Sequence, residues 1–430
     1  MRQSAFGQKP ETMLRKSVFH FLARTFALAA SAAVPAAAQP PADQAPGVTA
    51  RPSPAPRVQT PIEALAQDAA EYARDNDVPL DEAMRRLRAQ EESVPATDRI
   101  AVAYRDRLAG IAIEHHPGYR IVVLLTGDEP VAEQSVSAGG MQVPIVFRTG
   151  APATRDRILA AIAAHRAEIR AALPSAGIGL DPRSGTLVVM VKAAEADRYG
   201  RATMAARIEA IAGVPVQVRI LDEPPADFAL EGGVRVTGID KYSGRRQACT
   251  TGFVVTDSAR TGIATAAHCP DTLVYDDPDR GEIALDFVGE WGARYQDVQV
   301  NVSSQALQPL FTADAANGRT RRLATWRNRA STRAGDAVCH YGERTGYSCA
   351  LVELVDFAPP GDLCGGPCDP TWVTVAGPHC TSGDSGGPVF NGNVAFGLLK
   401  GGDYGRDGRC AFYFYMSTDY LPPGWLLLHG

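Results

Sequence analysis

The chain has 430 residues, of which 21% are charged and 45% hydrophobic, and a formal net charge of −5. Its length exceeds one ordinary domain, and its composition is that of a folded, soluble protein. So small a charge gives no ground for nucleic acid or a membrane surface as partner, and neither is expected.

Lys9, Arg15 and Lys16 form a basic start, and the apolar, small-residue run from Phe26 ends in Ala36-Ala37-Ala38. Residues 1–38 therefore read as a signal peptide cut after Ala38, with Met13 an alternative start. The run is too short to span a bilayer permanently, and no later segment is long enough. The expected location is extracellular or periplasmic. Residues 39–58, rich in Pro and Ala, read as a linker. Ile62, Leu65, Ala66, Ala69 and Ala70 then recur at helical spacing. LDEAMRRLRAQEE predicts a second short helix with Asp81 as its cap. His115 and His116 are expected in a solvated loop. From about residue 119 to 221, YRIVVLLT, VPIVFR, TLVVMVK and VPVQVRIL read as strands. TRDRILAAIAAHRAEIRAAL and ATMAARIEAIAG read as helices. Residues 59–228 are thus an α+β segment with no cysteine.

The pattern changes at about 222–233, punctuated by Pro224-Pro225 and Gly232-Gly233. Short strand-like runs follow, among them GFVVTD, TGIATAA, DVQVNVS, GPVF, VAFGLLK and AFYFYMST, with Asn391-Gly392 as a hairpin turn. Residues 229–430 read as all-β. All eight cysteines lie between Cys249 and Cys410. An even count confined to one part suits a disulfide framework outside the cytoplasm. A metal site is not expected. No CxxC pair repeats, and Cys364 and Cys368 have no nearby histidine. No cofactor is implied.

Two stretches carry chemistry: Thr265-Ala266-Ala267-His268-Cys269 and Gly383-Asp384-Ser385-Gly386-Gly387-Pro388. Glycines around Ser385 leave open space for a carbonyl and let backbone N–H groups, with those of Gly383 and Ser385 the candidates, hold a developing oxyanion. A serine alcohol needs a base to take its proton. TAAHC and GDSGGP, in this order, resemble the histidine and serine motifs of the chymotrypsin-like serine proteases. The details are similar to the bacterial branch of α-lytic protease and the streptogrisins. The likeness covers about residues 230–430, and the preceding pro-region more weakly.

That resemblance implies two six-stranded antiparallel Greek-key barrels behind an α+β pro-region. It implies the pairs Cys249–Cys269, Cys339–Cys349 and Cys380–Cys410, with Cys364–Cys368 as an addition. Each moderate loop so closed is worth roughly 2–4 kcal/mol. His268, Ser385 and an aspartate would form the triad. Asp297 is chosen because its spacing resembles the compact bacterial one and it opens the alternating run DVQVNVS; Asp286 is second. Asp384 is read as a turn-stabilising carboxylate. The substrate strand would pair with an edge near Gly397–Gly402, so Leu399, Lys400, Gly401 and Gly402 join His379 as candidate substrate-binding residues. Lys400 stands where the bacterial branch often has a serine. It either pairs with a carboxylate, points along the cleft, or faces solvent. His379 is placed at the pocket floor, where no aspartate of the trypsin type occurs; a buried, hydrogen-bonded histidine is the alternative there.

The implied function is a secreted serine endopeptidase made as a zymogen. Its pro-region would assist folding and inhibit the product, and maturation would fall near Phe228–Glu231. The partners are a protein or peptide substrate and the chain's own pro-region. The alternative is a catalytically impaired homologue acting as a binding protein.

Overall fold

The helix Pro61–Asn76 starts at a capping box, in which Thr60 and Glu63 satisfy each other's backbone N–H groups. In the computed structural model it is followed by helices Leu80–Glu92 and Val94–Ala103. The second begins where the sequence places it. Pro79 holds the N-cap position without a side-chain bond, however, and Asp81 sits in the first turn, paired with Arg85 at 2.9 Å. The structure describes residues 57–174, 176–221, 226–227, 235–240, 243–277, 281–304, 307–377, 379–405 and 409–430. The expected signal peptide, the expected linker through residue 56 and the expected maturation site at Phe228–Glu231 lie outside them. Arg57 and Val58, assigned to the linker, belong to a strand that pairs in parallel with Arg319–Arg322.

Strands Leu108–Glu114, Arg120–Thr126, Met141–Ala151 and Gln134–Ala138 form a four-stranded sheet in that order. The helix Arg155–Ala172 is capped by Thr154 and buries Ile158, Ile162 and Ile169. It lies against a second strand group, Gly177–Asp181, Thr186–Lys192 and Val216–Leu221. His115 is a correction to the sequence reading. It is buried, bonded to the Tyr72 hydroxyl at 2.6 Å and to the Gly335 carbonyl at 2.8 Å, while His116 is exposed. A histidine pair before a proline carries no periodicity from which that packing could be read.

In the all-β part, six strands close into a ring. The order is Ala337–Gly342, Pro388–Asn391, Val394–Tyr404, Cys410–Ser417, Trp372–Ala376 and Gly346–Ala358, and the last pairs with the first. Two further antiparallel sheets are built mostly from the strands that precede it in the chain. One holds Asp286–Trp291, Val298–Val302, Thr261–Thr265, Val254–Thr256 and Leu426–Leu427. The other holds Arg246–Thr250, Arg235–Ile239, Val274–Asp277 and Gly281–Ala284. The fold is all-β behind an α+β segment. Only the second half closes as a six-stranded ring among the described residues. All four expected disulfides are present: Cys249–Cys269, Cys339–Cys349, Cys364–Cys368 and Cys380–Cys410.

The two parts share one core. Gly177–Asp181 extends the ring by pairing antiparallel with Gly346–Ala358, with Gly179 opposite Phe357. Val188, Met190 and Leu221 pack in the same buried cluster as Phe357, Trp372 and Phe414. Arg155 and Arg329 both bond the buried carboxylate of Asp356.

Two buried histidines make the stability of the fold pH-dependent. Burial lowers His115 from 6.5 to about 4, the Arg86 charge assisting and the Gly335 hydrogen bond opposing. Burial lowers His340 to about 3, with His379 nearby. Unfolded histidines take up protons near pH 6.5 and these do not, so their contribution is complete above about 6.5 and is lost as pH falls toward 4 and 3. By pH 4.5 each should have cost about 2–3 kcal/mol. Urea unfolding at pH 7.5 and 4.5 checks this; equal midpoints would contradict it.

Candidate active site

The strand Thr261–Thr265 runs into Ala266 and Ala267, both buried, before His268. Cys269 fixes the following turn through its bond to Cys249. Val298–Val302 pairs antiparallel with Thr261–Thr265, Gln299 lying opposite Thr265. Two residues beyond that register Asp297 falls opposite Ala267, next to His268. The Asp297 Oδ2 lies 2.9 Å from His268 Nδ1, and its Oδ1 accepts from the His268 backbone N–H at 3.3 Å. His268 Nε2 lies 2.8 Å from Ser385 Oγ. Asp297 and Ser385 are buried, while the His268 side chain keeps 23% exposure. Asp286 is exposed and pairs with Val302, at the other end of that strand.

The serine loop is tied to both halves. The Ser385 carbonyl accepts from Thr250 N–H at 2.8 Å, and the Gly383 carbonyl accepts from the Thr250 hydroxyl at 2.9 Å. Gly386 N–H donates to the Leu399 carbonyl at 2.7 Å. Gly386 has φ 83°, and a Cβ there would stand 2.1 Å from Thr265 Oγ1 and 2.4 Å from the Thr250 carbonyl. Only glycine lets the loop approach the first half this closely. Asp384 is fully buried. It accepts from the Thr345 hydroxyl at 2.8 Å and from the N–H groups of Thr381, Arg344 and Thr345. Burial pushes its pKa up against those bonds. It acts as the turn-stabilising carboxylate the sequence suggests.

Lys400 is 1% exposed and neither faces solvent nor lines a cleft. Its Nζ lies 3.3 Å from Asp297 Oδ2 and 5.5 Å from the centre of the Trp372 ring. The cause is a bulge. Leu399 pairs with Tyr415 and Gly401 with Phe414, which leaves Lys400 as the extra residue on its strand. A bulge re-aims a side chain, here inward. Burial raises the Asp297 pKa, but His268 and Lys400 outweigh it and carry the carboxyl down to about 2. Asp297 therefore stays ionised over any ordinary working range. Sequence reasoning missed Trp372 and Met416, whose Sδ accepts from Asp297 N–H at 3.2 Å. Both lie in runs that read as core strands, and no local signal marks them.

Among the other candidates, Leu399, Gly401 and Gly402 are buried. Gly401 and Gly402 pair antiparallel with Asp227 and Ala226. His379 is exposed, which excludes the buried histidine considered for that position. The described residues offer one close group of potential metal ligands, Asp68 with Cys339 and Cys349, and its two sulfurs are already bonded to each other.

A histidine held between a buried carboxylate and a serine hydroxyl, beside a closed six-stranded barrel, defines the chymotrypsin-like class of serine proteases. The chain resembles that class in fold and in motif. No family model matches it. It is 27% identical over 271 residues to streptogrisin-C of Streptomyces griseus, covering 61% of this chain and 48% of that protein. The chain thus spans about half the length of the curated relative it matches. Thermobifida fusca protease A is similar at 23% identity and TM-score 0.37, over 47% of this chain and 99% of its own. A Cellulomonas bogoriensis chymotrypsin is similar at 22% identity and TM-score 0.33, over 44% and 92%.

Proposed function

We propose that the chain is a secreted serine endopeptidase made as a zymogen. The observation that carries this reading is the unbroken series Asp297–His268–Ser385, with contacts of 2.9 and 2.8 Å. Ser385 Oγ attacks the peptide carbonyl carbon while its proton passes to His268 Nε2. The N–H groups of Gly383 and Ser385 hold the oxygen as it gains charge. Collapse breaks the C–N bond, and His268 returns the proton to the leaving amine. Water, deprotonated by His268, then attacks the acyl-enzyme and releases Ser385 and the acid. Asp297 accepts from Nδ1–H throughout, so that Nε2 faces the serine as acceptor.

Residues 59–228 act in this reading as the pro-region. The antiparallel pairing of Ala226 and Asp227 on Gly402 and Gly401 supports an inhibitory role. It fills the sheet edge on which an extended peptide substrate would lie. The eight cysteines, all in disulfides, support an oxidising compartment outside the cytoplasm. No helix among the described residues is long and apolar enough to cross a membrane. The test is hydrolysis of casein by the processed, secreted chain. Release of acid-soluble peptides is expected; none, from folded and processed protein, would leave the binding-protein reading in its place.

Lys400 tunes this site. A cation beside Asp297 competes with an imidazolium on His268 for the same carboxylate oxygen. Only neutral His268 accepts the Ser385 proton, so activity rises as pH passes upward through its pKa. Lys400→Met, which keeps the volume, should move the acid limb of kcat/KM up by about one pH unit. An unmoved limb would show that the lysine charge does not reach the imidazole.

A further inference from the structure

Asp68 faces inward from the helix Pro61–Asn76 and is 1% exposed. Its Oδ1 accepts from Arg321 Nη2 at 2.7 Å and from the Tyr347 hydroxyl at 2.6 Å. Its Oδ2 accepts from Arg321 Nη1 at 3.0 Å and from Gly392 N–H at 2.5 Å. Two parallel N–H···O bonds from one guanidinium are the planar match that carboxylate recognition uses. Arg321 is fully buried. Its Nε donates to Gln59 Oε1 at 2.9 Å, Nη1 also to the Gly392 carbonyl at 3.0 Å, and Nη2 also to Gln67 Oε1 at 3.2 Å. Five N–H groups thus meet five acceptors, and the guanidinium stacks 4.9 Å from the centre of the Phe390 ring. Burial, with Asp68 beside it, raises the Tyr347 pKa and keeps that hydroxyl a donor.

We propose that Arg321, Tyr347 and the Gly392 N–H form a carboxylate-binding site on residues 235–430, filled in the intact chain by Asp68. Its three donors come from three different hairpins: the strand Arg319–Arg322, the start of Gly346–Ala358, and the Asn391-Gly392 turn between Pro388–Asn391 and Val394–Tyr404. One carboxylate from the amino-terminal part therefore pins three hairpins at once. The last of them carries Lys400 at its far end. Removing that carboxylate leaves a buried cation uncompensated, which costs more than the intact pair gains. A cavity of about 400 Å³ adjoins the site, lined by Asp68, Tyr72, Leu87, Ala337, Cys349 and Asn391. It gives room for a small carboxylate to take the place of a truncated side chain. Asp68 with Arg321 is a structural latch and takes no part in the hydrolysis, so the proposal stands or falls apart from the protease reading.

The test uses the full chain carrying Ser385→Ala, so that it stays in one piece. Asp68→Ala should lower Tm by about 5–10 °C. Sodium formate or acetate at about 100 mM should restore about 3 °C of this, saturably, beyond what sodium chloride at the same ionic strength does. Adding Arg321→Met should abolish that recovery. Asp68→Asn, which keeps the shape and loses the charge, serves where the alanine variant does not accumulate. There the combination with Arg321→Met should fall short of the sum of the two single Tm losses, by several degrees. Recovery no greater than with chloride, additive losses in the double variant, or an Asp68→Ala chain as stable as its parent would each overturn the proposal.

Discussion

Ser385→Ala should abolish casein hydrolysis, with kcat falling on the order of 10⁵–10⁶-fold, and leave the fold unchanged. The hydroxyl is the only atom removed. Ser385 Oγ meets His268 Nε2 at 2.8 Å and donates to the Lys400 carbonyl at 3.5 Å, while the contacts named for the loop run through backbone or other side chains. Thr250 N–H still meets the residue 385 carbonyl, Gly386 N–H still meets Leu399, and Asp384 keeps its four donors. Circular dichroism and the thermal midpoint should match the parent. The remaining activity would come from the oxyanion donors and from binding alone. A variant that still cleaves casein at more than a hundredth of the parent rate would move the nucleophile elsewhere.

Asp297→Asn should cost on the order of 10⁴-fold in kcat. The carboxylate accepts from Nδ1–H, whereas an amide nitrogen turned toward the ring donates. His268 then adopts the tautomer with its proton on Nε2 and presents a donor to Ser385 Oγ where an acceptor is needed. Here the loss has a second component, because Lys400 Nζ faces the same Oδ2 from 3.3 Å inside the protein. Neutralising Asp297 removes the negative charge that faces that buried ammonium, so the thermal midpoint should fall as well. Pairing Asp297→Asn with Lys400→Met separates the two effects. Stability should return and turnover should not. Return of both would mean that the lysine, rather than the tautomer, limits the single variant.

The motif residues were legible because their chemistry demands unusual local sequence. Glycines around Ser385 answer close approaches that a Cβ would block, and a cysteine beside His268 answers a fixed turn. Asp297 was legible from its place at the head of an alternating strand, and pairing register puts it beside the histidine. Lys400 was not. Sequence gives a position in a strand, and alternation then gives a face, but the bulge between Leu399 and Gly401 adds a residue and turns its side chain inward. Asp68 was hidden differently. On an amphipathic helix a lone aspartate reads as solvated, and its partners Arg321, Tyr347 and Gly392 are far away in sequence. His115 was misplaced for the same reason, since its Gly335 contact exists only once the two parts have packed. In the first half of the all-β part, strand runs were visible, but their division into two sheets depends on how the chain bends between Thr250 and Val254.

The central claim is that His268 and Asp297 make the Ser385 hydroxyl a nucleophile. A fluorophosphonate probe reports this directly, because the phosphonyl group bonds only to an activated serine oxygen. Treated with it, the processed chain should gain one label, mapped by peptide mass spectrometry to Ser385, and His268→Ala should abolish the gain. Folded, processed protein that takes no label, or takes it on another residue, would contradict the account.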